Sequence, residues 1–318
     1  MRLLSIAVLA TVAISSTAQA GEVPTRVYLN GVPTPVYFND GDSFKVLGGV
    51  HSGTRARLAG FNTLESYGPV HRWGGWDAKE LYWLAKLATL NARRGVWHCT
   101  SEDLKTDTYG RILWYCPDLA RDQIRRGLAH AMTISTTPSD PSYLAAQRQA
   151  IEGRRGIWAH GVPAFVMTSL HSSTEGGGRE DGTQYNRMVS SLDGHSNSMA
   201  HKEAYSECQW VCAEERDVST SSIAAGVQAL RERTDLEPIL GDLTEEQVSQ
   251  IVRDFAHVGW FAWFDDEEDK DKRLELELAL AKLVQEGVLP GDPMGEGSCV
   301  LYVEFGRRYG KSRPGCLR

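Results

Sequence analysis

The chain has 318 residues, 42% of them hydrophobic and 24% charged, with a formal net charge of −7. That length exceeds one domain of roughly 100–200 residues, so two units with their own cores are expected. The acidic total does not exclude a polyanionic partner, because residues 21–160 carry 17 Lys and Arg against 13 Asp and Glu, whereas residues 161–318 carry 16 against 28; any attraction for a polyanion belongs to the first half.

The chain starts with Arg2, an apolar run from Leu3 to Ile14 and the small-residue end Ala18-Gln19-Ala20. This is the layout of a cleavable export signal spanning residues 1–20, with cleavage expected after Ala20. The run is too short for the ~20 residues of a membrane span, so a secreted or periplasmic protein without a membrane anchor is expected. All six cysteines follow that point and read as disulfide partners in an oxidising compartment.

From Val27 to Phe61, short β-branched and aromatic runs broken by Gly, Asn and Pro predict strands joined by tight turns, with a reversal at Gly48-Gly49. Asp77–Leu90 places Leu81, Leu84, Ala85 and Ala88 on one helical face. Strand-like runs near 95–100 and 111–116 predict a hairpin, which would set Cys99 opposite Cys116 for a cross-strand disulfide. Helices are expected from about Leu119 to Ala129 and from about Tyr143 to Gly153, the latter followed by Gly156-Ile157-Trp158. The order of elements indicates an α+β fold with a small closed barrel in residues 21–165.

Residues 166–200 are rich in Ser, Gly, Thr and His and read as a flexible linker. Residues 201–318 read as a mainly helical, acidic C-terminal domain, with helices at Ser222–Arg233, Thr244–Val258 and Lys272–Glu286. Thr244 and Gln247 have capping-box spacing. Cys208, Cys212, Cys299 and Cys316 fit two disulfides in any of three pairings, or a zinc site of irregular spacing. The acidic run Asp265–Asp271 fails as a calcium loop, since Lys270 stands where Gly is needed and Leu276 where Glu is needed. The cluster Trp260, Phe261, Trp263 and Phe264 reads as core filling.

Three further pieces carry chemistry. Asp40-Gly41-Asp42-Ser43 sets two carboxylates at a Gly turn, Arg57 lies in a strand with Asn62-Thr63-Leu64-Glu65 just past its end, and Tyr109-Gly110-Arg111 sets an Arg at the start of another strand. Each alone is an ordinary turn or a solvated arginine. In this order and spacing, over about residues 27–160, they resemble the thermonuclease (staphylococcal nuclease-like) family. The resemblance implies a five-stranded OB-fold barrel with a helix insertion and a calcium-dependent nuclease hydrolysing the DNA or RNA backbone. It assigns catalysis to Arg57, Glu65 and Arg111, the calcium ion to Asp42, Asn62 and the carbonyl of Thr63, and phosphate contact or turn support to Asp40, Ser43 and Tyr109. Guanidinium groups suit the phosphoryl oxygens, oxygen donors suit calcium, and a carboxylate can activate water.

The chain departs from the family at Asn62 and Leu64, where the pattern has Asp and Pro, and at Thr133 and Ser135, where the best-known members carry tyrosines. Losing a ligand charge at position 62 is expected to weaken calcium affinity. Two other readings remain open. One is a non-catalytic OB-fold binder of single strands, and the other a nuclease-like domain attached to a protein-interaction module with an unknown partner.

Overall fold

A computed structural model describes residues 25–175, 181–264, 269–292 and 294–318. The expected export signal at 1–20, and Asp265–Glu268 of the acidic run, lie outside the described residues. The fold is mixed α+β. Its largest sheet is a curled six-stranded half-barrel in the order β7 (Val96–Cys99), β1 (Arg26–Leu29), β2 (Val32–Asp40), β3 (Ser43–Val46), β4 (Arg55–Leu58) and β8 (Ile112–Trp114). Thr34, Val36 and Phe38 of β2 are buried while Pro35 and Tyr37 face outward, the alternation expected of a half-buried strand. Phe38, Phe44, Leu58, Phe61 and Trp114 fill the concave side. A short pair of β5 (Phe61–Thr63) and β9 (Ala129–Ala131) lies beside this sheet.

The predicted hairpin of residues 95–116 is not formed as a local ladder. Instead β7 runs parallel to β1 and β8 parallel to β4, at opposite edges of the sheet. The two edges meet in a single bridge, Thr100 to Tyr115, and the Cys99–Cys116 disulfide joins them at that seam. The helices α1 (Ala78–Arg94), α2 (Pro117–Arg125) and α3 (Pro141–Glu152) cover the sheet. Asp77 and Glu80 form a capping box at the start of α1.

The described residues of 166–200 are not a linker. They build β10 (Phe165–Ser169), β11 (Gln184–Ser190) and β12 (Ser196–His201), an antiparallel three-stranded sheet. The segment buries polar groups beside apolar ones: Ser190, Asp193, His195, Ser196 and Asn197 are all buried, as are Val166, Met167, Leu170, Met188 and Val189. Hydrogen bonds inside the turn and to neighbouring elements compensate that burial, so low hydrophobicity misled the sequence reading.

The later residues contain β13 (Trp210–Glu215), α4 (Thr220–Arg231), α5 (Glu237–Leu240), α6 (Glu245–Val258), α7 (Lys270–Gln285) and β14 (Gly295–Leu301). Thr244 and Gln247 form the predicted capping box, and α4, α6 and α7 enclose their own apolar cluster, with Phe261 in it and Trp263 and Phe264 packed against it. This half is continuous with the first. Strand β14 pairs on one side with β13 and on the other with β6 (His71–Arg72). Of two further disulfides, Cys212–Cys299 joins β13 to β14 and Cys208–Cys316 ties the last residues to the segment before β13. The one close group of metal-type side chains among the described residues, Cys212, Glu296 and Cys299, contains that disulfide and has no thiolate to offer. The three disulfides fit an oxidising compartment. No helix among the described residues is long and apolar enough to cross a membrane.

Candidate active site

A bulge in the β2–β3 ladder between Phe38 and Asp40 brings Asp40 opposite Ser43 and turns the chain sharply at Gly41. The Gly41 N–H donates to Asp40 Oδ1 at 2.7 Å. A Cβ at Gly41 would stand 2.6 Å from Thr63 Cγ2, so this close approach admits only glycine. The turn is pinned to β4 by the Leu58 N–H donating to the Asp42 carbonyl, 2.9 Å.

Behind the turn lies a tight polar cluster. Asp42, whose side chain is 4% exposed, forms a salt bridge through Oδ1 to Arg57 Nη1 at 2.6 Å, and its Oδ2 accepts the Thr63 N–H at 2.8 Å. Arg57 Nη2 donates to Asn62 Oδ1 at 2.5 Å. The Asn62 amide nitrogen donates to the Thr63 carbonyl at 2.9 Å and lies 3.4 Å from His130 Nε2. Burial pushes His130 down to about 4, so the ring is neutral. With its Nδ1 3.1 Å from the Ala131 carbonyl, the tautomer assigned by these contacts carries its proton on Nδ1 and accepts at Nε2.

In front of the turn lies a cavity of about 710 Å³. Asp40, Ser43, Glu65, Tyr109 and Arg111 all reach its wall, so five of the nine residues singled out from the sequence share one space. The other four, Asp42, Arg57, Asn62 and Thr63, stand behind that wall. Arg111 spends Nε and Nη2 on Asp107, each at 2.7 Å, and packs beside the Tyr109 ring. Burial would raise the Asp107 carboxyl, but hydrogen bonds from the backbone N–H and guanidinium of Arg111 outweigh it and hold it below its usual value. Glu65 is pushed up, first by burial and then by Asp42, against the opposing pull of Arg308, Arg57 and Arg111. Asp40 is raised further still by burial and by the negative charges of Asp42 and Glu65.

The expected calcium ligands have the right chemistry, all oxygen, yet their arrangement does not fit the ion. Each oxygen already meets a protein N–H: the two of Asp42 meet Arg57 and Thr63, that of Asn62 meets Arg57, and the Thr63 carbonyl meets Asn62. The guanidinium of Arg57 already supplies positive charge to Asp42 and Asn62, so a calcium ion here would stand beside that charge and compete with it. Asn62 is also more than an aspartate lacking charge. Its amide nitrogen faces two acceptors, so a carboxylate here would face them without a proton to share.

Several groups on the cavity wall had no signal in the sequence. His71 accepts the Glu65 N–H at 3.3 Å through Nε2, and burial pushes it down to about 3; its Nδ1 is buried without a partner. His171 and Glu175, 3.1 Å apart, come from the stretch expected to be a linker. Tyr302, Phe305, Arg308 and Tyr309 come from the residues that follow β14. Thr133 and Ser135 lie instead against the turn before β12, bonded to Gly194 and Ser196. A second cavity of about 530 Å³, near Trp158 and His160, carries no carboxylate. The chain matches no protein-family model and no curated protein.

Proposed function

We propose that the protein is an exported phosphodiesterase of the thermonuclease type, cleaving the sugar-phosphate backbone of nucleic acid, and that its half-barrel is a variant of the OB fold with one strand more than the five expected. The observation that carries this reading is the meeting of Glu65, Arg111 and Asp40 on one ligand-sized cavity, with Arg57 directly behind it. Glu65 takes the proton of an attacking water; its raised pKa makes it a stronger base than a free glutamate while leaving it ionised at higher pH. Arg111 keeps Nη1 clear of Asp107 and can offer it to a phosphoryl oxygen as negative charge builds there. Arg57 neutralises the cluster behind the turn and holds Asp42 and Asn62 in place. No step is assigned to a metal, since the residues expected to hold one are already bonded to each other.

The test is incubation of the purified protein with single-stranded DNA, RNA and plasmid, with and without a chelator. Cleavage that falls at least ~100-fold in Glu65→Gln and in Arg111→Ala supports the reading. Its rate should rise with pH through a value above that of an ordinary glutamate. The non-catalytic binder has one specific point in its favour, the bonding of the expected calcium ligands to Arg57 and to each other, and it is adopted if the protein binds single strands without cutting them under any of these conditions.

A further inference from the structure

The opposite wall of the cavity is built by the half of the chain that the resemblance does not cover. Leu301 and Tyr302 at the end of β14, then Phe305, Arg308 and Tyr309, face the wall that carries Asp40, Glu65 and Arg111. This closing segment is held at both ends. Strand β14 pairs with β6 of the first half, and Cys316 is bonded to Cys208. Arg313 Nη1 donates to the Tyr67 carbonyl at 2.7 Å, fixing the segment beside the Glu65 loop.

Arg308 is a cation of this wall without a direct salt bridge, although the charges of Glu65 and Glu175 act on it. Its Nε donates to the Val303 carbonyl at 2.9 Å, and its guanidinium lies 5.4 Å from the Tyr67 ring centre and 5.6 Å from that of Phe305. Among the described residues it forms no salt bridge, in contrast to Arg57 with Asp42 and Arg111 with Asp107. A stacked guanidinium whose two Nη groups are uncommitted and which lines a half-enclosed cavity is built to meet a planar or tetrahedral oxyanion. Six rings line the cavity, Tyr67, Tyr109, Tyr185, Tyr302, Phe305 and Tyr309, among polar groups that include His171, Glu175 and Gln184. Rings of this kind stack on unpaired bases, and such contact is tolerant of sequence. A duplex presents its bases only at the floor of a groove, and reading them takes a protruding element rather than a recess.

We propose that Arg308 is a substrate-phosphate ligand supplied by the C-terminal segment, and that this segment restricts the site to single-stranded nucleic acid whose unpaired base enters the ring-lined cavity. The inference deepens the phosphodiesterase reading and rests on it. Arg308 and Glu65 line the same cavity from its two sides.

The test uses the full chain in a Glu65→Gln background, so that binding is read without cleavage. A fluorescein-labelled dT oligonucleotide and the same strand in a duplex are titrated by anisotropy over a range of salt. The single strand should bind at least ~10-fold tighter than the duplex, and adding Arg308→Ala should weaken it roughly 10- to 100-fold. The slope of log K against log salt should fall by about 0.7, the signature of one lost phosphate contact on a single strand. Arg308→Lys should restore part of the affinity and the full slope, and Tyr309→Ala should weaken binding with the slope unchanged. In the active enzyme, Arg308→Ala should raise KM more than it lowers kcat. An unchanged affinity and slope in Arg308→Ala and Arg308→Lys, or equal binding of the duplex, overturns the inference while leaving cleavage by the wild-type protein, and so the broader reading, intact. If the wild-type protein neither cuts nor binds any strand, both fall together.

Discussion

His195 sits in the turn between β11 and β12 and is 0% exposed. Its Nδ1 lies 2.5 Å from Asp193 Oδ1 and its Nε2 2.8 Å from Asp254 Oδ2, the latter also 0% exposed, on α6. Arg253 Nη1 completes the group at 3.1 Å from Asp193 Oδ2. Burial pulls the imidazole down, but the charge of Asp254 and the hydrogen bonds to both carboxylates outweigh it and raise His195 to about 9. A folded value above the unfolded one of 6.5 means that the protonated ring stabilises the fold fully below about pH 6.5, and that this contribution disappears as pH rises through about 9. The gap between 6.5 and about 9 corresponds to roughly 3 kcal/mol. The raised carboxyl of Asp254 does not lessen this, because a carboxyl held above its ordinary value can only lose stability as pH rises, so a loss of about 3 kcal/mol is expected between pH 6.5 and 9.5. Replacing His195 by Gln leaves two buried carboxylates without their shared cation, at a cost of ~3–5 kcal/mol. Urea unfolding of both proteins at the two pH values, with the disulfides intact, checks this. The variant should be less stable at pH 6.5 and should lack the alkaline loss. Parallel pH profiles in the two proteins, or a difference below about 1 kcal/mol at pH 6.5, would refute the assignment of a doubly paired imidazolium.

Asn62→Asp should destabilise the calcium-free protein by ~1–3 kcal/mol, because the new carboxylate faces the Thr63 carbonyl and His130 Nε2 without a proton for either. Millimolar calcium should raise the melting temperature of this variant more than that of the wild-type protein, and equal shifts would mean that position 62 does not control metal access. Gly41→Ala should cost ~1–3 kcal/mol, since the added carbon would stand 2.6 Å from Thr63 Cγ2 and 2.9 Å from Ala88 Cβ. Thermal unfolding reads that cost, and a variant as stable as the parent would show that Thr63 moves freely and does not fix the Asp42 contact.

The elements that were legible in the sequence are those specified by local rules. The Thr244–Gln247 capping box, the 3.6-residue pattern of α1 and the alternation in β2 each act within a few residues of chain, and each is present. Pairings decided at a distance were not legible. Val96–Cys99 and Ile112–Trp114 carry strand propensity, but whether they pair with each other or with β1 and β4 depends on how the sheet curls. The stretch 166–200 failed for another reason. Its turn between β11 and β12 buries Ser, Asp, His and Asn held by hydrogen bonds, and its buried apolar residues fall in two short groups, Val166 to Leu170 and Met188-Val189, too brief to show a period. At the candidate site the residue types were read from the sequence, while their division into a cavity wall and a bonded cluster behind it was not. Position 62 shows why. Read alone, Asn62 is a missing charge, and only the neighbouring Thr63 carbonyl and His130 nitrogen reveal what the amide does.

Charge balance then connects the two halves of the molecule. Asp42 is matched by Arg57 and Asp107 by Arg111, while burial and its neighbours push Asp40 toward its protonated form. Glu65 is left facing Arg308, a residue 243 positions further along the chain, as the strongest charge opposing its burial. In the proposed complex a phosphodiester would draw on that guanidinium and bring its own negative charge beside Glu65. Both changes favour the protonated carboxyl, so the affinity of Glu65 for a proton would rise when substrate arrives, the moment at which a base is needed. In the proposed complex the acidic half would contribute Arg308 and the rings of Tyr302 and Tyr309 to the cavity, with Glu175 as the carboxylate that it also sets on that wall.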